Sequence, residues 1–479
     1  MKHFAWSFLN TFLSKGFSFI FSIILGNLLL PEELGVFLTF VLILSYFVTI
    51  FSFNLGGGIV HKLNNVREAE YRSHYFSAGL VLMSGFSLFA CFLFLMAQDL
   101  ILQAFNISNA ANILVMIIGL VPLNMFREYL NRVLQADLKF KRLTVINLIS
   151  VITQVLVTVF LIYQGKGIAG VIYGLYGGAI VGLFSLIPFL VPNYKLVFNR
   201  HTLSSSKHLV RFSGLIFVGS IAVLLDKRID MLFVAHFLDA ESLAVYNYAL
   251  KFSLIFLLIG NSISKVTYPK FSESFSNDAI QDTDRLLNYS LTFSFLILSV
   301  LSMAVLFNAD IIVETLLPSY YLKAVPFLLI LFIGVIPKAV VSSVGTIFTA
   351  KGIPSVSAKL NWGMLGMNVV LNILLIPRLG LYGAAIATSV SFFIKPFFIF
   401  YLIKKNFTYI HKFNRIILNF FLFLAVLISG SFIEQLVLKE LLILVYVFYC
   451  IFLFLRKEEK NYLFKEVNKF NVSLLGRKQ

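Results

Sequence analysis

The stretch FSGLIFVGSIAVLLDKRIDMLFVAHF (212–237) is apolar except for one short cluster of charge. Positions 226 to 230 read DKRID, so four of these five residues are ionisable. A helix that crosses a bilayer needs about 20 residues, and the apolar part before the cluster, 212–225, is too short. We therefore predict that one membrane helix continues through the cluster to about residue 237. The less favoured alternative is a helix that ends at Leu225, with the charges in a surface turn.

The rest of the chain has the same apolar character. Of its 479 residues 59% are hydrophobic and only 13% are charged, and the mean hydropathy is +0.91. A soluble domain carries about 25% charged residues, so this composition predicts an all-α integral membrane protein. The apolar runs are continuous rather than alternating, which excludes porin-type strands. By the length rule they form about 14 transmembrane helices. They cover roughly 4–28, 36–58, 75–97, 110–134, 143–164, 168–191, 212–237, 243–267, 286–308, 322–349, 357–377, 380–403, 414–434 and 438–455.

The basic residues are concentrated in alternate loops. Examples are the groups at 139–142, 195–211 and 404–415, whereas the intervening loops, such as PEELG and LDAES, are short and acidic or neutral. This pattern follows the positive-inside rule and predicts a multi-pass protein with both termini in the cytoplasm. The net charge of +17 is then a topology signal combined with attraction to anionic membrane lipids. Nucleic acid is not an expected partner.

An internal repeat relates the two halves of the chain. LGVF at 34–37 matches LAVY at 243–246, and both 134–170 and 348–383 pass from a polar loop through a helix with Asn or Gln to a Gly-x-x-Gly turn. Because an even number of helices separates the copies, they have the same orientation, as in parallel-repeat transporters with a substrate site between the halves. We expect a six-helix bundle over 1–195, a second over 207–405, two additional helices over 413–456 and a basic cytoplasmic tail over 457–479.

Ionisable residues also lie inside other apolar runs. Each costs about 2.5–3.5 kcal/mol at a helix centre on insertion scales, so it must pair, reach the interface or line a water-filled path. Positive charge is in excess, and Arg and Lys are the usual partners of phosphate. We therefore predict a cationic cavity for an anionic substrate. The candidate substrate-binding residues are Lys15, Arg127, Arg228, Lys251 and Lys338.

The buried acidic residues are candidates for charge pairing or ion coupling. They are Glu128, Asp226 and Asp230. Asp226 and Asp230 share one helix face, whereas Arg228 projects about 200° away from Asp226 and needs a partner or substrate elsewhere. Polar uncharged residues that could hydrogen-bond sugar hydroxyls are Asn147, Gln154, Asn368 and Asn372, although hydrogen bonds between helices explain the asparagines equally well. We expect no catalytic residues and no metal site, since the two cysteines lack CxxC spacing.

Three motifs resemble those of one transporter family. RIDMLFVAHFLDAESLAVYNYALKF (228–252) followed by YPKFSE (268–273), LNILLIPRLGLYGAAIATSVSFF (371–393) and LLLPEELGVF (28–37) are similar to polysaccharide flippases of the multidrug/oligosaccharidyl-lipid/polysaccharide (MOP) exporter superfamily. The second stretch is the most specific, and the resemblance covers essentially the whole chain. Its positions that fit the family pattern are Asn372, Pro377, Gly380, Gly383, Ala384, Ala385, Ala387 and Thr388.

The resemblance implies an alternating-access transporter of two six-helix bundles, as in Wzx-type O-antigen or capsule flippases. It would move an undecaprenyl-diphosphate-linked oligosaccharide across the bacterial cytoplasmic membrane for O-antigen, capsule or exopolysaccharide biosynthesis. It also implies coupling to a proton or sodium gradient without a further cofactor, and a polymerase and chain-length machinery as downstream partners. Within the class, export of the peptidoglycan precursor lipid II is the alternative.

Other classes of protein fit the sequence less well. A membrane-embedded glycosyltransferase or polymerase needs catalytic loops outside the membrane, and the outer loops here are too short. A drug–cation antiporter favours an acidic cavity, against the basic set found here. A non-transporting scaffold leaves the charges inside the bilayer unexplained. We therefore expect a transporter and not an enzyme.

Overall fold

The computed structural model describes residues 2–66, 68–107, 110–407, 413–433 and 435–461. Over these ranges every regular element is helical, which confirms the all-α class. The helices are α1 Lys2–Leu28, α2 Pro31–Phe51, α3 Leu55–Asn65, α4 Ala69–Met96, α5 Gln98–Ala104, α6 Ala111–Ile118, α7 Leu120–Ala136, α8 Phe140–Tyr163, α9 Gly167–Leu190, α10 Arg200–Phe237, α11 Ala240–Ser276, α12 Ile280–Phe307, α13 Ala309–Leu316, α14 Val325–Ser342, α15 Ile347–Ala350, α16 Pro354–Leu379, α17 Leu381–Asn406, α18 Phe413–Ser431 and α19 Leu436–Tyr449. A 3₁₀ turn at Ser319–Ala324 precedes α14, and a π turn at Cys450–Phe454 follows α19.

The membrane-spanning character predicted from composition is confirmed. Within the described residues, 12 helical segments are long and apolar enough to cross a membrane. Two shorter apolar helices, Leu13–Leu28 and Asn414–Gly430, lie where the first and thirteenth spans were expected. The total of about 14 spans stays a prediction. The expected basic tail, 457–479, lies outside the described residues from 462 onwards.

The chain divides into two compact units, residues up to Asn247 and residues from Tyr248. The bundle limits expected from the sequence, 1–195 and 207–405, stay predictions. The repeat motifs fall on corresponding helix positions, since LGVF lies in the first two turns of α2 and LAVY in the first two turns of α11. The helices that carry Asn or Gln, each followed by a glycine turn, are α8 and α16.

Helix α10 is continuous through the charged cluster. Its 38 residues make it about 57 Å long at the usual helical rise. The Asn199 side chain caps its start by accepting a hydrogen bond from the Thr202 N–H at 3.0 Å. The chain becomes extended only at Leu238, after which Asp239 caps α11 by accepting from the Ser242 N–H at 2.7 Å. Helix α10 therefore passes through the cluster, which excludes a surface turn after Leu225. The segment apolar enough to cross a membrane is Arg200–Asp226, so a span that reaches residue 237 stays a prediction.

One predicted span is broken by a turn that the apolar pattern did not reveal. The run 36–58 contains the end of α2, two residues with positive φ (Phe53, 47°, and Asn54, 50°) and the start of α3. Asparagine tolerates this backbone conformation because its side chain can hydrogen-bond locally. Here Asn54 Oδ1 accepts from the Gly57 N–H at 3.1 Å, while its Nδ2 donates to Ser220 Oγ of α10 at 3.2 Å. The turn between α2 and α3 is therefore hydrogen-bonded to α10.

Helices α8 and α9 pack closely through small residues. Gly178 of α9 faces α8, where a Cβ atom would lie 2.8 Å from both Gln154 Cβ and the Ser150 carbonyl oxygen. Ser150 Oγ donates a hydrogen bond to the Gly178 carbonyl oxygen at 2.5 Å. In lipid, helices associate by van der Waals contact and interhelical hydrogen bonds rather than by the hydrophobic effect, so this close approach stabilises the pair.

Replacing Gly178 by Ala should destabilise the first unit. The added methyl group overlaps the α8 backbone, and overpacking of this kind costs about 1–3 kcal/mol. Gly177→Ala is the matched control, because a Cβ there meets Val157 Cγ2 at an ordinary 3.5 Å. Thermal unfolding in detergent should show a lower midpoint for Gly178→Ala and an unchanged or slightly higher one for Gly177→Ala. Equal midpoints would contradict the packing argument.

The second unit has a similar close approach and one tight turn. Gly334 of α14 faces the Ser389 backbone of α17, so only a glycine fits between these helices. Gly380, between α16 and α17, has φ 58° and ψ −134°, a conformation that is essentially limited to glycine. This turn lies in the LIPRLGLYGAA stretch that carried the family resemblance.

The two additional helices are held on α12 by a buried ion pair. Arg415, in the first turn of α18, donates to both carboxylate oxygens of Glu459, at 2.5 and 3.0 Å. Arg415 also donates to Thr292 Oγ1 of α12 at 2.8 Å. The Glu459 carboxylate is buried and accepts a further bond from the Arg456 N–H at 2.8 Å. The pair therefore joins the start of α18, the segment after α19 and α12.

Replacing Glu459 by Gln should destabilise the second unit strongly. It leaves the Arg415 charge without its buried partner, and breaking such a pair costs about 3–5 kcal/mol. Glu458→Gln, at an exposed neighbouring position, is the control. The double variant Arg415→Met/Glu459→Gln should recover part of the loss in thermal unfolding midpoint. A double variant that is as unstable as the sum of both singles would contradict coupling between the two side chains.

Candidate functional site

The charged part of α10 forms a site with α2 in the first unit. Arg228 Nη1 donates to Ser45 Oγ of α2 at 3.2 Å. The Ser45 hydroxyl donates its own proton to the Leu42 carbonyl oxygen at 2.7 Å, so it accepts from Arg228 with a lone pair. Arg228 projects away from the Asp226 face of α10, and the Ser45 hydroxyl is its hydrogen-bond partner there.

Asp230 is buried, with 6% of its surface exposed. Its Oδ1 accepts from the Met231 N–H at 2.9 Å, and its Oδ2 accepts from the hydroxyl of Tyr246 at 3.1 Å. Tyr246, at the start of α11, is fully buried. Two hydrogen bonds hold this carboxylate in a fixed orientation.

Tyr46 brings an unused hydrogen-bonding group to the same place. Its ring lies beside α10, close enough for its hydroxyl to interact electrostatically with Asp230 and Arg228. The hydroxyl is buried, and within the described part of the chain it has no hydrogen-bond partner. We call Ser45, Tyr46, Arg228, Asp230 and Tyr246 the α10 polar cluster. It combines the guanidinium of Arg228, the carboxylate of Asp230 and the Tyr46 hydroxyl that has no hydrogen-bond partner among the described residues, so it can bind a polar or ionic group.

Removing the hydroxyl of Tyr46 and removing the hydroxyl of Tyr246 should change the thermal unfolding midpoint in opposite directions. A buried polar group without a partner costs about 1–3 kcal/mol, so Tyr46→Phe should raise the thermal unfolding midpoint. Tyr246→Phe removes a hydroxyl that is bonded to Asp230, so it should lower the midpoint. If Tyr46→Phe also lowers the midpoint, the hydroxyl has a structural partner and is not available to a ligand.

Arg127 and Glu128 lie on α7 and face different surroundings. Arg127 Nη1 is 3.4 Å from Ser150 Oγ, so its side chain reaches toward α8. Glu128 lies 3.9 Å from Arg132, one turn further along α7, and both of these side chains are about half exposed. Gln154 lies against Gly178 at the α8–α9 contact. The described contacts of these residues are therefore with α7, α8 and α9 rather than with the α10 polar cluster.

In the second unit, Lys338 and the two asparagines occupy different helices. Lys338 Nζ of α14 lies 3.3 Å from the ring centroid of Phe392 in α17, a cation–π contact. Asn372 Nδ2 donates to Asn368 Oδ1 at 3.0 Å within α16, and both side chains are buried. Asn372 Oδ1 is buried without a hydrogen-bond partner among the described residues.

The remaining candidates differ in exposure. Lys15 of α1 is exposed, whereas Asn147 of α8, Asp226 of α10 and Lys251 of α11 are half-buried. Among the residues that the structure describes, no three His, Cys, Asp or Glu side chains converge on a point where a metal ion could bind. The roles assigned to these residues from the sequence stay predictions.

Sequence reasoning missed three members of the α10 polar cluster. Ser45, Tyr46 and Tyr246 are uncharged, and serine and tyrosine are frequent in apolar membrane helices, so nothing singled them out. Tyr246 had one usable signal, because it lies in the LAVY copy of the internal repeat, 16 residues after Asp230. Ser45 and Tyr46 had none.

Comparison with known proteins identifies the family. The profile of a family described as "Polysaccharide biosynthesis protein" matches residues 24–326, which is more than half of the chain. The chain belongs to this family. The match begins in α1 and runs through the α10 polar cluster to the start of α14. The resemblance to polysaccharide flippases of the MOP superfamily is thereby confirmed.

Two proteins similar to this chain are flippases by name, both from Haloferax volcanii. One is the "Probable low-salt glycan biosynthesis flippase Agl15", 22% identical over 80% of this chain and 79% of that protein. The other is the "Probable flippase AglR", 24% identical over 49% of each chain. These similar proteins are transporters rather than catalysts of a chemical reaction.

Two solved structures share the fold of this chain. The "Lipid II flippase MurJ, inward closed conformation" superposes with a TM-score of 0.73, at 19% identity over 93% of this chain and 98% of that one. An "inward-facing conformation of a multidrug resistance MATE family transporter of the MOP superfamily" gives a TM-score of 0.65, at 13% identity over 82% and 96%. At these identities the likeness establishes the fold alone.

Proposed function

We propose that this member of the polysaccharide biosynthesis family moves a lipid-linked oligosaccharide across the membrane by alternating access. The substrate class is a glycan carried on a polyprenyl diphosphate of the undecaprenyl type, as in O-antigen, capsule or exopolysaccharide biosynthesis. The curated relatives that are flippases by name support this substrate class. The chemistry of the α10 polar cluster supports it independently.

The observation that carries the proposal is the half-buried Arg228 beside the Tyr46 hydroxyl, which has no hydrogen-bond partner among the described residues. A guanidinium inside a membrane helix is expensive unless it pairs or meets a ligand, and Ser45 offers it only one neutral hydrogen bond at 3.2 Å. A diphosphate presents several anionic oxygens that match the planar donor fork of Arg. In this proposal Arg228 binds the diphosphate and the Tyr46 hydroxyl donates to the same group.

The proposal also assigns roles to the other charged and polar residues predicted from the sequence. Lys15, Arg127, Lys251 and Lys338 would contribute to the same anionic substrate, and Asn147, Gln154, Asn368 and Asn372 would hydrogen-bond its sugars. Asp230, with Asp226 and Glu128, would hold the cations or couple transport to a proton or sodium gradient. A carboxylate fixed by Tyr246 and the Met231 N–H is suited to respond to such an ion.

The proposed setting is the cytoplasmic membrane, with both termini and the basic loops on the cytoplasmic side. The substrate would be loaded from that side and released on the opposite one. Glycosyltransferases would supply it, and a polymerase with chain-length machinery would consume it.

The proposal is tested by reconstitution of the protein into liposomes that contain a fluorescent undecaprenyl-diphosphate oligosaccharide. A membrane-impermeant reductant bleaches only the outer leaflet, so a protected fraction remains unless the lipid is flipped. We expect the protein to abolish this protection, and protein-free liposomes to retain it. Retained protection under an imposed proton or sodium gradient of either direction would overturn the proposal.

Lipid II is the alternative substrate, favoured by the likeness in fold to MurJ over nearly the whole of both chains. The same assay with labelled lipid II distinguishes the two. A rate that is higher for the oligosaccharide carrier supports polysaccharide export, and a higher rate for lipid II supports the alternative. Both substrates share the diphosphate, so the comparison reports recognition of the glycan or peptide part.

A further inference from the structure

The connection between α9 and α10, together with the first three turns of α10, forms a separate cationic surface in the first unit. It reads VPNYKLVFNRHTLSSSKHLVR (191–211), and we call it the α9–α10 connector. It carries four exposed cations, Lys195, Arg200, Lys207 and Arg211. No Asp or Glu occurs between residues 138 and 225, so no local acidic residue in the sequence balances these charges.

The extended part of the connector is fixed to α4 by hydrogen bonds. The Lys195 N–H donates to Ser73 Oγ at 3.2 Å, and the Val197 N–H donates to Ser77 Oγ at 2.9 Å. Ser77 Oγ in turn donates to the Lys195 carbonyl oxygen at 3.3 Å. Because Ser73 and Ser77 lie in the first turns of α4, the connector lies level with the end of a membrane-spanning helix.

A partly buried polar triad fixes the start of the same segment. Arg72 Nη2 donates to Asp137 Oδ1 at 2.6 Å and to the Tyr194 hydroxyl at 2.8 Å. The Tyr194 hydroxyl donates to Asp137 Oδ1 at 2.8 Å. Burial raises the pKa of the Tyr194 phenol, so it stays protonated and remains a donor at neutral pH. The triad ties the connector to α4 and to the end of α7.

Three large apolar side chains of the connector nevertheless face outward. Leu196, Phe198 and Leu203 are 62%, 69% and 63% exposed. Leu196 and Phe198 alternate with the backbone groups bonded to α4, so both side chains project away from the protein. Because the backbone is hydrogen-bonded on both sides of Phe198, this exposure belongs to the folded arrangement rather than to a loose loop.

We propose that the α9–α10 connector is a docking surface for anionic phospholipids of the adjacent leaflet. Its apolar side chains would enter the acyl boundary, while Lys195, Arg200, Lys207 and Arg211 would bind the phosphate headgroups. Exposed apolar residues set among cations are typical of segments that lie in the membrane interface. Anionic headgroups attract such cations over about one Debye length.

A lipid fits this surface better than a protein partner. The connector joins two consecutive spans on one side of the membrane, and its level at the start of α4 places it at the boundary between lipid and water. The segment itself carries four exposed cations and no Asp or Glu, which complements an anionic surface, whereas a second copy of the same connector would repel it. The inference does not depend on which glycan the protein carries.

A tryptophan in place of Phe198 reports the docking directly. The natural Trp6 and Trp362 are replaced by Phe, and Phe198→Trp is reconstituted in nanodiscs with brominated phosphatidylglycerol or brominated phosphatidylcholine at equal mole fraction. Bromine quenches tryptophan only on contact. We expect quenching about threefold stronger with the anionic lipid, with the difference lost in about 0.5 M salt, because screening weakens headgroup attraction.

A variant without the four cations tests whether they cause the preference. Lys195, Arg200, Lys207 and Arg211 are each replaced by Gln, which should make the two lipids quench equally. The matched control replaces four exposed cations of the second unit, Lys359, Lys404, Lys405 and Lys457, and should keep the preference.

Three results would overturn the proposal. Equal quenching of Phe198→Trp by both lipids means that the headgroup is not recognised, and no quenching means that the residue faces water. Emission that changes with the number of protein copies per nanodisc means that another copy covers the surface. Normal gel filtration and circular dichroism of each variant confirm that the comparison is made on folded protein.

Discussion

Arg228→Ala should reduce flipping of the labelled oligosaccharide carrier about 10- to 100-fold, because a hydrogen bond to a charged group contributes about 1.5–3 kcal/mol. The guanidinium is held by Ser45 of α2 and lies next to the open Tyr46 hydroxyl. Removing it leaves the α10 polar cluster with a net negative charge from Asp230, which repels a diphosphate. The initial rate of loss of protected fluorescence in liposomes measures the effect.

The controls separate substrate binding from a loss of folded protein. Arg132→Ala removes an exposed cation of the same first unit and should leave the rate unchanged. Arg228→Lys keeps the charge but loses the planar donor fork, so it should be intermediate. Lys338→Ala and Lys15→Ala should lower the rate as well if those cations face the same substrate. Full activity in Arg228→Ala, Lys338→Ala and Lys15→Ala would contradict a cationic substrate site.

The apolar pattern predicted most of the helices because the bilayer imposes a simple rule. A span needs a minimum length of apolar residues, and α4, α8, α9, α12, α16 and α17 cover the expected runs. The same rule predicted that α10 passes through its charges, since the apolar part before Asp226 is too short alone. It could not predict the break at Asn54, because that turn depends on side-chain hydrogen bonds to Gly57 and Ser220 rather than on hydropathy.

The candidate site was predictable only where charge made it visible. Arg228 and Asp230 were conspicuous because ionisable residues are rare in membrane helices. Ser45 and Tyr46 were not, since their role depends on the rotation of α2 about its axis, which packing sets. The ion pair of Arg415 and Glu459 was missed for a related reason. The two residues are 44 positions apart in the sequence, and only the packing of α18 and α19 on α12 brings them together.

Asp230→Asn should abolish the response of flipping to an ion gradient and lower its rate about tenfold or more, as expected when a buried charge inside a transport path is removed. Asparagine has the same shape: its Oδ1 can still accept from the Met231 N–H, and its Nδ2 can donate to the Tyr246 hydroxyl oxygen, which reverses the direction of that hydrogen bond. The variant therefore removes the charge and retains the hydrogen bonds. Flipping is measured in liposomes with an imposed pH or sodium gradient, in parallel with gradient-free liposomes.

Two further variants decide between ion coupling and charge pairing for Asp230. Asp239→Asn alters an exposed helix cap a few residues away and should keep the gradient response. If Asp230 only neutralises Arg228, the double variant Arg228→Gln/Asp230→Asn should be more active than either single variant, because no buried charge is then left unpaired. If Asp230 binds the coupling ion, the double variant stays insensitive to the gradient and is no faster than Asp230→Asn. A gradient response retained in Asp230→Asn would exclude this residue as the coupling site, and Asp226 and Glu128 would be the remaining acidic candidates.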